Sequence, residues 1–263
     1  LDCVNGATYD VAPHVFKELG ADVIKLACKP DGININENCG SMHPEELVAN
    51  IKEHSADFGI AFDGDGDRVI IADRNGELLN GDKLIYLIVK SYEALGNRLP
   101  GVVGTVMTNM AMELALKEQG YEFVRAKVGD RYVVEELLKR NWLVGGEASG
   151  HLLCLDKHTT GDGIISALQV LAGIVILNQQ PHEVIDWQDY PQTMINVRFT
   201  DKEFDWQSAA RDAIMEVETE LNGKGRVIVR ASGTEALVRV MVEAKDAQLA
   251  QSCAEKIAQT IKG

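Results

Sequence analysis

The chain has 263 residues, 46% of them hydrophobic and 25% charged, with a formal net charge of -14. That length and balance fit two or three compact domains of an ordinary globular protein. The acidic surplus argues against general nucleic-acid binding, and no apolar stretch has the length of a membrane span or the form of a signal peptide.

Five scattered cysteines (Cys3, Cys28, Cys39, Cys154 and Cys253) form no CxxC pair and read as reduced, buried thiols of a cytoplasmic protein. The chain opens with Leu1, already inside a strand-like segment, so a preceding segment is expected. Residues 1–4 read as a short apolar strand and Asn5-Gly6-Ala7 as a turn. Residues 11–19 have the spacing of a helix closed by Gly20. A strand over 23–26 and a polar loop over 29–40 follow. Ser41 and Pro44 start a helix with Glu45 and Glu46 in its first turn, where acids favour the helix dipole. Its apolar Leu47, Val48 and Ile51 share one face. Two buried strands at 58–62 and 69–72 flank an acidic loop, and Arg74-Asn75-Gly76-Glu77 reads as a hairpin turn.

These elements form an α/β domain over 1–79, and a second α/β domain is expected over 80–185. It starts with a helix at 82–95 and a strand at 101–107. A helix at 109–119 has Asn109 as its N-cap and Gly120 past its end. A strand at 122–128, a helix at 130–140 and short strands at 142–144 and 152–155 come next. The helix opened by Thr159-Thr160-Gly161-Asp162 is apolar on most faces to about Leu177, which predicts burial all round. After a linker at 178–189, strand 194–199, helix 206–221, strands 226–230 and 237–243 and helix 247–261 read as a small α+β domain over 186–263. The expected fold class is α/β: two consecutive three-layer α/β domains with mixed sheets, then a small α+β C-terminal domain.

The densest chemistry lies in Asp63-Gly64-Asp65-Gly66-Asp67-Arg68. Three carboxylates this close repel one another unless a cation sits among them, and hard oxygens suit Mg²⁺ or Ca²⁺. The glycines allow the sharp turn this needs, and Arg68 adds a fixed positive charge suited to a phosphate. A solvated turn rarely follows a buried strand with three alternating Asp. An EF-hand loop fails, because Arg68 and Arg74 stand where it needs Gly and Glu.

Three further stretches carry polar chemistry. In Gly146-Glu147-Ala148-Ser149-Gly150-His151, Glu147 and Ser149 alternate and suit vicinal sugar hydroxyls, and His151 suits proton transfer or a phosphate; alone, the stretch also fits a structural turn. Arg230-Ala231-Ser232-Gly233-Thr234-Glu235 follows a strand and has the make-up of a phosphate cradle that Arg239 could close, or of a plain polar turn. Lys127-Val128-Gly129-Asp130-Arg131-Tyr132 fits an anion site at a helix start, or equally a cap by Asp130.

Taken in order, Asp63–Arg68, Glu147-x-Ser149-Gly150-His151 and Arg230-x-Ser232-Gly233-Thr234-Glu235 resemble the α-D-phosphohexomutase superfamily, in its bacterial amino-sugar branch. Asn5-Gly6-Ala7-Thr8-Tyr9 and Leu155-Asp156-Lys157-His158-Thr159-Thr160-Gly161-Asp162-Gly163 extend the resemblance over essentially the whole chain. It implies four domains, of which this chain corresponds to the second, third and fourth. The first would carry a phosphorylated serine in a Ser-His-Asn segment, absent here, so the chain alone is expected to be inactive. It also implies Mg²⁺ on Asp63, Asp65 and Asp67, with Arg68, Lys127 and His151 in catalysis and Asp130 a further acid–base candidate. Glu147 and Ser149 would grip the sugar, while Arg230, Ser232, Gly233, Thr234 and Arg239 would hold the idle phosphate. The implied reaction converts glucosamine 6-phosphate to glucosamine 1-phosphate through a 1,6-bisphosphate, for cell-wall precursor synthesis. The implied partners are a phosphorylated amino sugar, the N-terminal domain and a second copy in a homodimer, with neither nucleic acid nor membrane.

Ala236 stands where the family usually has Pro, and Ala148 sits at a variable position. A glucose or mannose phosphomutase of the same superfamily and a non-catalytic sugar-phosphate-binding module are the alternatives. A haloacid-dehalogenase-type phosphatase also uses Asp-x-Asp after a strand, but leaves the other two loops without a role.

Overall fold

The computed structural model describes residues 1–198, 205–232 and 237–261. They divide into two compact units: Leu1–Thr108 with Met112–Trp187, and Asn109–Ala111 with Gln188–Gly263. Among the described residues no helix is long and apolar enough to cross a membrane.

The first unit opens with α1 (Val11–Glu18) and α2 (Glu45–His54), followed by strands β1 (Phe58–Phe62), β2 (Val69–Asp73) and β3 (Leu78–Leu79). β1 and β2 are antiparallel from Phe58↔Asp73 to Phe62↔Val69, so the acidic hexapeptide is the connection of a hairpin. The strand residues alternate between two buried faces. Ala61 and Ala72 meet Leu47 and Ile51 of α2, while Ile60, Phe62, Val69 and Ile71 face the main core. The strands expected at 1–4 and 23–26 shrink to single parallel bridges from Asp2 to Leu26 and Ala61. The Asp2 carboxylate explains the interruption: it is buried and accepts the backbone N–H groups of Val4 and Gly40, which ties the chain into turns.

Helix α3 (Gly81–Ala94) is capped by the Asn80 side chain, which accepts from Lys83 N. It buries most of its length against α6 (Gly163–Leu177), where Gly173 lets Ser91 approach closely. Each large aliphatic side chain sealed there contributes roughly 1.5–3 kcal/mol. The second sheet has the order β5-β4-β6-β7, built from β4 (Gly101–Thr105), β5 (Glu122–Ala126), β6 (Val144–Gly146) and β7 (Leu152–Cys154). β4 runs parallel to β5 and β6, and β7 is antiparallel, so the sheet is mixed. Helices α4 (Met110–Glu118) and α5 (Asp130–Arg140) follow β4 and β5, and the one-turn α7 (Pro181–Val184) follows α6.

Two expectations need correction. Asp130 is not a cap but the first residue of α5; Gly129, at φ 121°, holds the cap position. The long apolar helix α6 is not buried all round, because it packs along one side and leaves Val175 78% exposed.

The second unit contains β8 (Gln192–Arg198), α8 (Trp206–Leu221), β9 (Gly225–Ala231), β10 (Leu237–Ala244) and α9 (Ala247–Ile261). The sheet is antiparallel in the order β8-β10-β9. Val238, Val240, Val242 and Ala244 alternate along β10 and pack with the buried faces of α8 and α9. On the opposite face Glu243 is fully buried, bonded to Arg226 Nε and Met110 N.

Candidate active site

The acidic loop is shaped by its first carboxylate. Asp63 is buried, and its Oδ1 accepts the N–H groups of Gly66 and Arg68 at 3.1 and 3.0 Å. Its Oδ2 accepts Arg68 Nε at 2.7 Å. Gly66 has φ +80°, and a Cβ there would meet Thr8 at 2.6 Å, so only glycine fits both the turn and its neighbour. The turn at Asn5-Gly6-Ala7 supports the loop from below, with Ala7 N donating to Gly64 O.

Asp63, Asp65 and Asp67 each offer an oxygen, and the three lie within 4.8 Å of one another. Asp65 is exposed and Asp67 half-buried. Asp67 Oδ2 is 3.1 Å from His151 Nδ1, whereas the buried Asp67 Oδ1 has no hydrogen-bond partner. Burial, and then the neighbouring Asp63 carboxylate, push the Asp67 carboxyl up, against the pull of His151. Burial would raise Asp63 too, but the hydrogen bond from Arg68 N and the Arg68 charge hold it below the usual range. A buried carboxylate oxygen without a partner, in a cluster of hard oxygen donors, fits a divalent cation.

The Glu147–His151 loop is bonded directly to this centre. Val69 N donates to Gly150 O, and Gly81 N donates to Ala148 O, both at 3.0 Å. The loop closes on itself through Glu147 N to His151 O and Gly150 N to Glu147 O. Glu147 Oε1 accepts Gly129 N at 2.9 Å, which fixes its carboxylate at the start of α5. Ser149 is exposed. A third connection comes from the start of α6, where Gly163 N donates to Gly66 O at 2.8 Å.

The expected residues are thus partly gathered. Asp63, Asp67, Arg68, Glu147 and His151 form one bonded group, with the Asp65 carboxylate within 4.8 Å of those of Asp63 and Asp67. His151 lies beneath Asp67; it is 5% exposed, with Nε2 unpartnered and facing Gly161. Lys127 and Asp130 are exposed, and the Lys127 ammonium lies 5.6 Å from the centre of the Tyr132 ring. In the second unit Arg230 and Arg239 face each other across β9 and β10, and Arg239 Nε is buried without a hydrogen-bond partner. Two guanidinium groups side by side on one face suit an anion between them. Gly233, Thr234 and Ala236 lie outside the described residues.

Sequence reasoning missed Gly81, Gly161 and Gly163 as supports. A Cβ at Gly81 would sit 2.0 Å from Glu147 O, and one at Gly161 would sit 2.1 Å from His151 Nε2. The signal was present as glycines beside otherwise apolar or polar runs, but nothing local tells what a glycine is pressed against.

Three successive family models match the chain. They are phosphoglucomutase/phosphomannomutase alpha/beta/alpha domain II over residues 1–76, alpha/beta/alpha domain III over 80–190, and the C-terminal domain over 194–260. The chain belongs to the phosphoglucomutase/phosphomannomutase family. Among curated relatives, phosphoglucosamine mutase of Neisseria subflava is 61% identical, the match covering 100% of this chain and 59% of the relative. Phosphoglucosamine mutase of Ralstonia pickettii is 58% identical with the same coverage. This member of the family therefore spans about three-fifths of the length of the curated relatives it matches.

A solved phosphoglucomutase/phosphomannomutase family protein from Burkholderia thailandensis superposes with a TM-score of 0.80 at 22% identity, over 99% of this chain and 59% of that one. Aspergillus fumigatus N-acetylphosphoglucosamine mutase, solved in complex with GlcNAc-6P and magnesium, gives 0.75 at 21% over 99% and 60%. At these identities the likeness establishes the fold.

Proposed function

We propose that this chain is the metal-, sugar- and phosphate-binding portion of a phosphoglucosamine mutase that interconverts glucosamine 6-phosphate and glucosamine 1-phosphate. The observation that carries the reading is the direct bonding of an acidic triad to a sugar-type loop through Asp67–His151 and Val69–Gly150. The relatives named phosphoglucosamine mutase, near 60% identity, support the amino sugar as substrate. Family membership disfavours an unrelated phosphatase.

In this reading Asp63, Asp65 and Asp67 hold Mg²⁺, which when bound supplies charge stabilisation for phosphoryl transfer. Arg68 offers its guanidinium fork to the transferring phosphoryl oxygens. Glu147 and Ser149 hold sugar hydroxyls, and Lys127 and Asp130 stand near the same loop with exposed charges. His151, held at 3.1 Å from Asp67 Oδ2, positions that carboxylate rather than meeting the sugar itself, because its free Nε2 is buried against Gly161. Arg230, Ser232, Gly233, Thr234 and Arg239 hold the phosphate that is not reacting.

A phosphoserine on a domain preceding residue 1 donates the phosphoryl group. It forms the 1,6-bisphosphate, then recovers the phosphate originally on the substrate, which leaves the isomeric monophosphate. The functional division follows 1–79 for metal, 80–185 for sugar and 186–263 for phosphate. The working enzyme is a cytoplasmic homodimer.

The test is turnover by a protein of the relatives' full length that contains this chain. Glucosamine, glucose and mannose 6-phosphates are compared by phosphorus NMR with Mg²⁺ and a trace of sugar bisphosphate. Preference for glucosamine 6-phosphate, with no turnover by the 263-residue chain alone, is expected. Inertness of the long protein on all three sugars refutes the mutase reading.

A further inference from the structure

We propose that Arg68 and a divalent cation compete for Asp63, so that metal loading frees the guanidinium and raises the site's affinity for phosphate. The proposal rests on the metal reading of the acidic loop, but not on the identity of the sugar.

Asp63 Oδ1 is committed to two backbone N–H groups, so Oδ2 is the oxygen it can offer a metal. That oxygen accepts Arg68 Nε at 2.7 Å. The same Nε lies 3.5 Å from Asp67 Oδ1, the buried oxygen without a hydrogen-bond partner. One N–H therefore lies across two of the oxygens that a cation would need. The guanidinium cannot shed its proton to make way, and its fixed charge repels a divalent ion at contact distance.

The two partners differ in freedom to move. The Asp63 side chain is 5% exposed and held by the loop backbone, whereas the Arg68 side chain is 40% exposed. Arg68 is thus the group that yields, and it yields toward solvent, where an anion would arrive. A released guanidinium keeps its planar fork, which matches two phosphate oxygens at once. Coupling of this kind is reciprocal: a phosphate that captures Arg68 must strengthen metal binding by the same factor.

The experiment titrates Mn²⁺, followed by calorimetry and electron paramagnetic resonance, into the 263-residue chain and its Arg68→Gln variant, with and without inorganic phosphate. Without phosphate, Arg68→Gln is expected to bind Mn²⁺ about tenfold tighter than the unaltered chain. It should also lose most of the metal-dependent gain in phosphate affinity. Equal or weaker Mn²⁺ binding by a folded Gln variant overturns the proposal.

A second readout does not depend on the stability of that variant. In ¹⁵N spectra the Arg68 Nε–H, assigned by its absence in Arg68→Lys, is protected from solvent exchange without metal and loses that protection with Mg²⁺. An Nε–H unchanged at saturating Mg²⁺ overturns the competition directly. Failure of the unaltered chain to bind Mn²⁺ overturns both this proposal and the metal reading, whereas a failed sugar assay touches neither measurement.

Discussion

Replacing Gly81 by alanine places a methyl group into the backbone of the sugar loop. The added Cβ would stand 2.0 Å from Glu147 O and 2.8 Å from Gly150 N, against an ordinary contact of 3.4 Å. Both neighbours are backbone, so no side chain can rotate aside, and the loop must retreat by about 1.4 Å. That retreat breaks the Gly81 N to Ala148 O bond and strains the bond from Val69 N to Gly150 O. Overpacking costs about 1–3 kcal/mol and the lost hydrogen bond about 1 kcal/mol more. Alanine's better helix propensity returns under 1 kcal/mol at a first-turn position. The net cost is therefore roughly 1–3 kcal/mol, or about 2–12 °C in Tm for a unit of this size.

Binding should suffer beyond stability, because Glu147 and Ser149 ride on the displaced segment. A misplacement of about 1 Å can cost on the order of a hundredfold in a positioned reaction. The assay pairs thermal unfolding by circular dichroism with calorimetric binding of glucosamine 6-phosphate, and Ser149→Ala serves as a control that changes a side chain without moving backbone. A Gly81→Ala chain with unchanged Tm and unchanged sugar-phosphate affinity would refute the close approach.

Other outcomes follow from single contacts. Arg226→Ala strands the fully buried Glu243 carboxylate in the second unit and should cost about 3–5 kcal/mol, read as a fall of at least about 10 °C in that unit's transition. His151→Ala removes the partner of Asp67 and should weaken Mn²⁺ binding about 10- to 100-fold without unfolding the chain, as paramagnetic resonance would report. Tyr92→Phe removes the O–H that donates to Asp156, whose carboxyl is held below the usual range by Lys157 and Tyr92 despite the opposing effect of burial. A depressed carboxyl stabilises above the ordinary carboxylate range and loses that contribution as pH falls. The deficit of Tyr92→Phe, about 1.5–3 kcal/mol at pH 7, should therefore shrink as the pH of urea unfolding is lowered below about 4; a constant deficit contradicts the assignment.

Much of the fold was legible because its elements announce themselves locally. β1 and β2 are short apolar runs on either side of glycine and aspartate, and α3 and α5 lie within one residue of the ranges that the sequence pattern predicts. The acidic loop was legible for the same reason: three alternating carboxylates have little use for one another without a cation.

What failed was decided at long range. The strand expected at 1–4 is broken by the Asp2 carboxylate, whose partner Gly40 is 38 residues away. The exposed side of α6 depends on which helix packs there, and apolar composition alone does not reveal it. For His151 the motif left proton transfer, a phosphate and a structural turn open, and its place under Asp67 follows from a contact spanning 84 residues.

The bonds from Val69, Gly81 and Gly163 into the two loops limit how this site could be redesigned. A longer or shorter sugar loop borrowed from a relative would pull on Gly150 and His151, and so on Asp67 and any ion it holds. Changes confined to side chains at Ala148 or Ser149 would leave that framework intact. On the proposed reading, such a site would alter its preference among sugars by exchanging one residue for another, whereas inserting or deleting one would disturb the acidic triad with it.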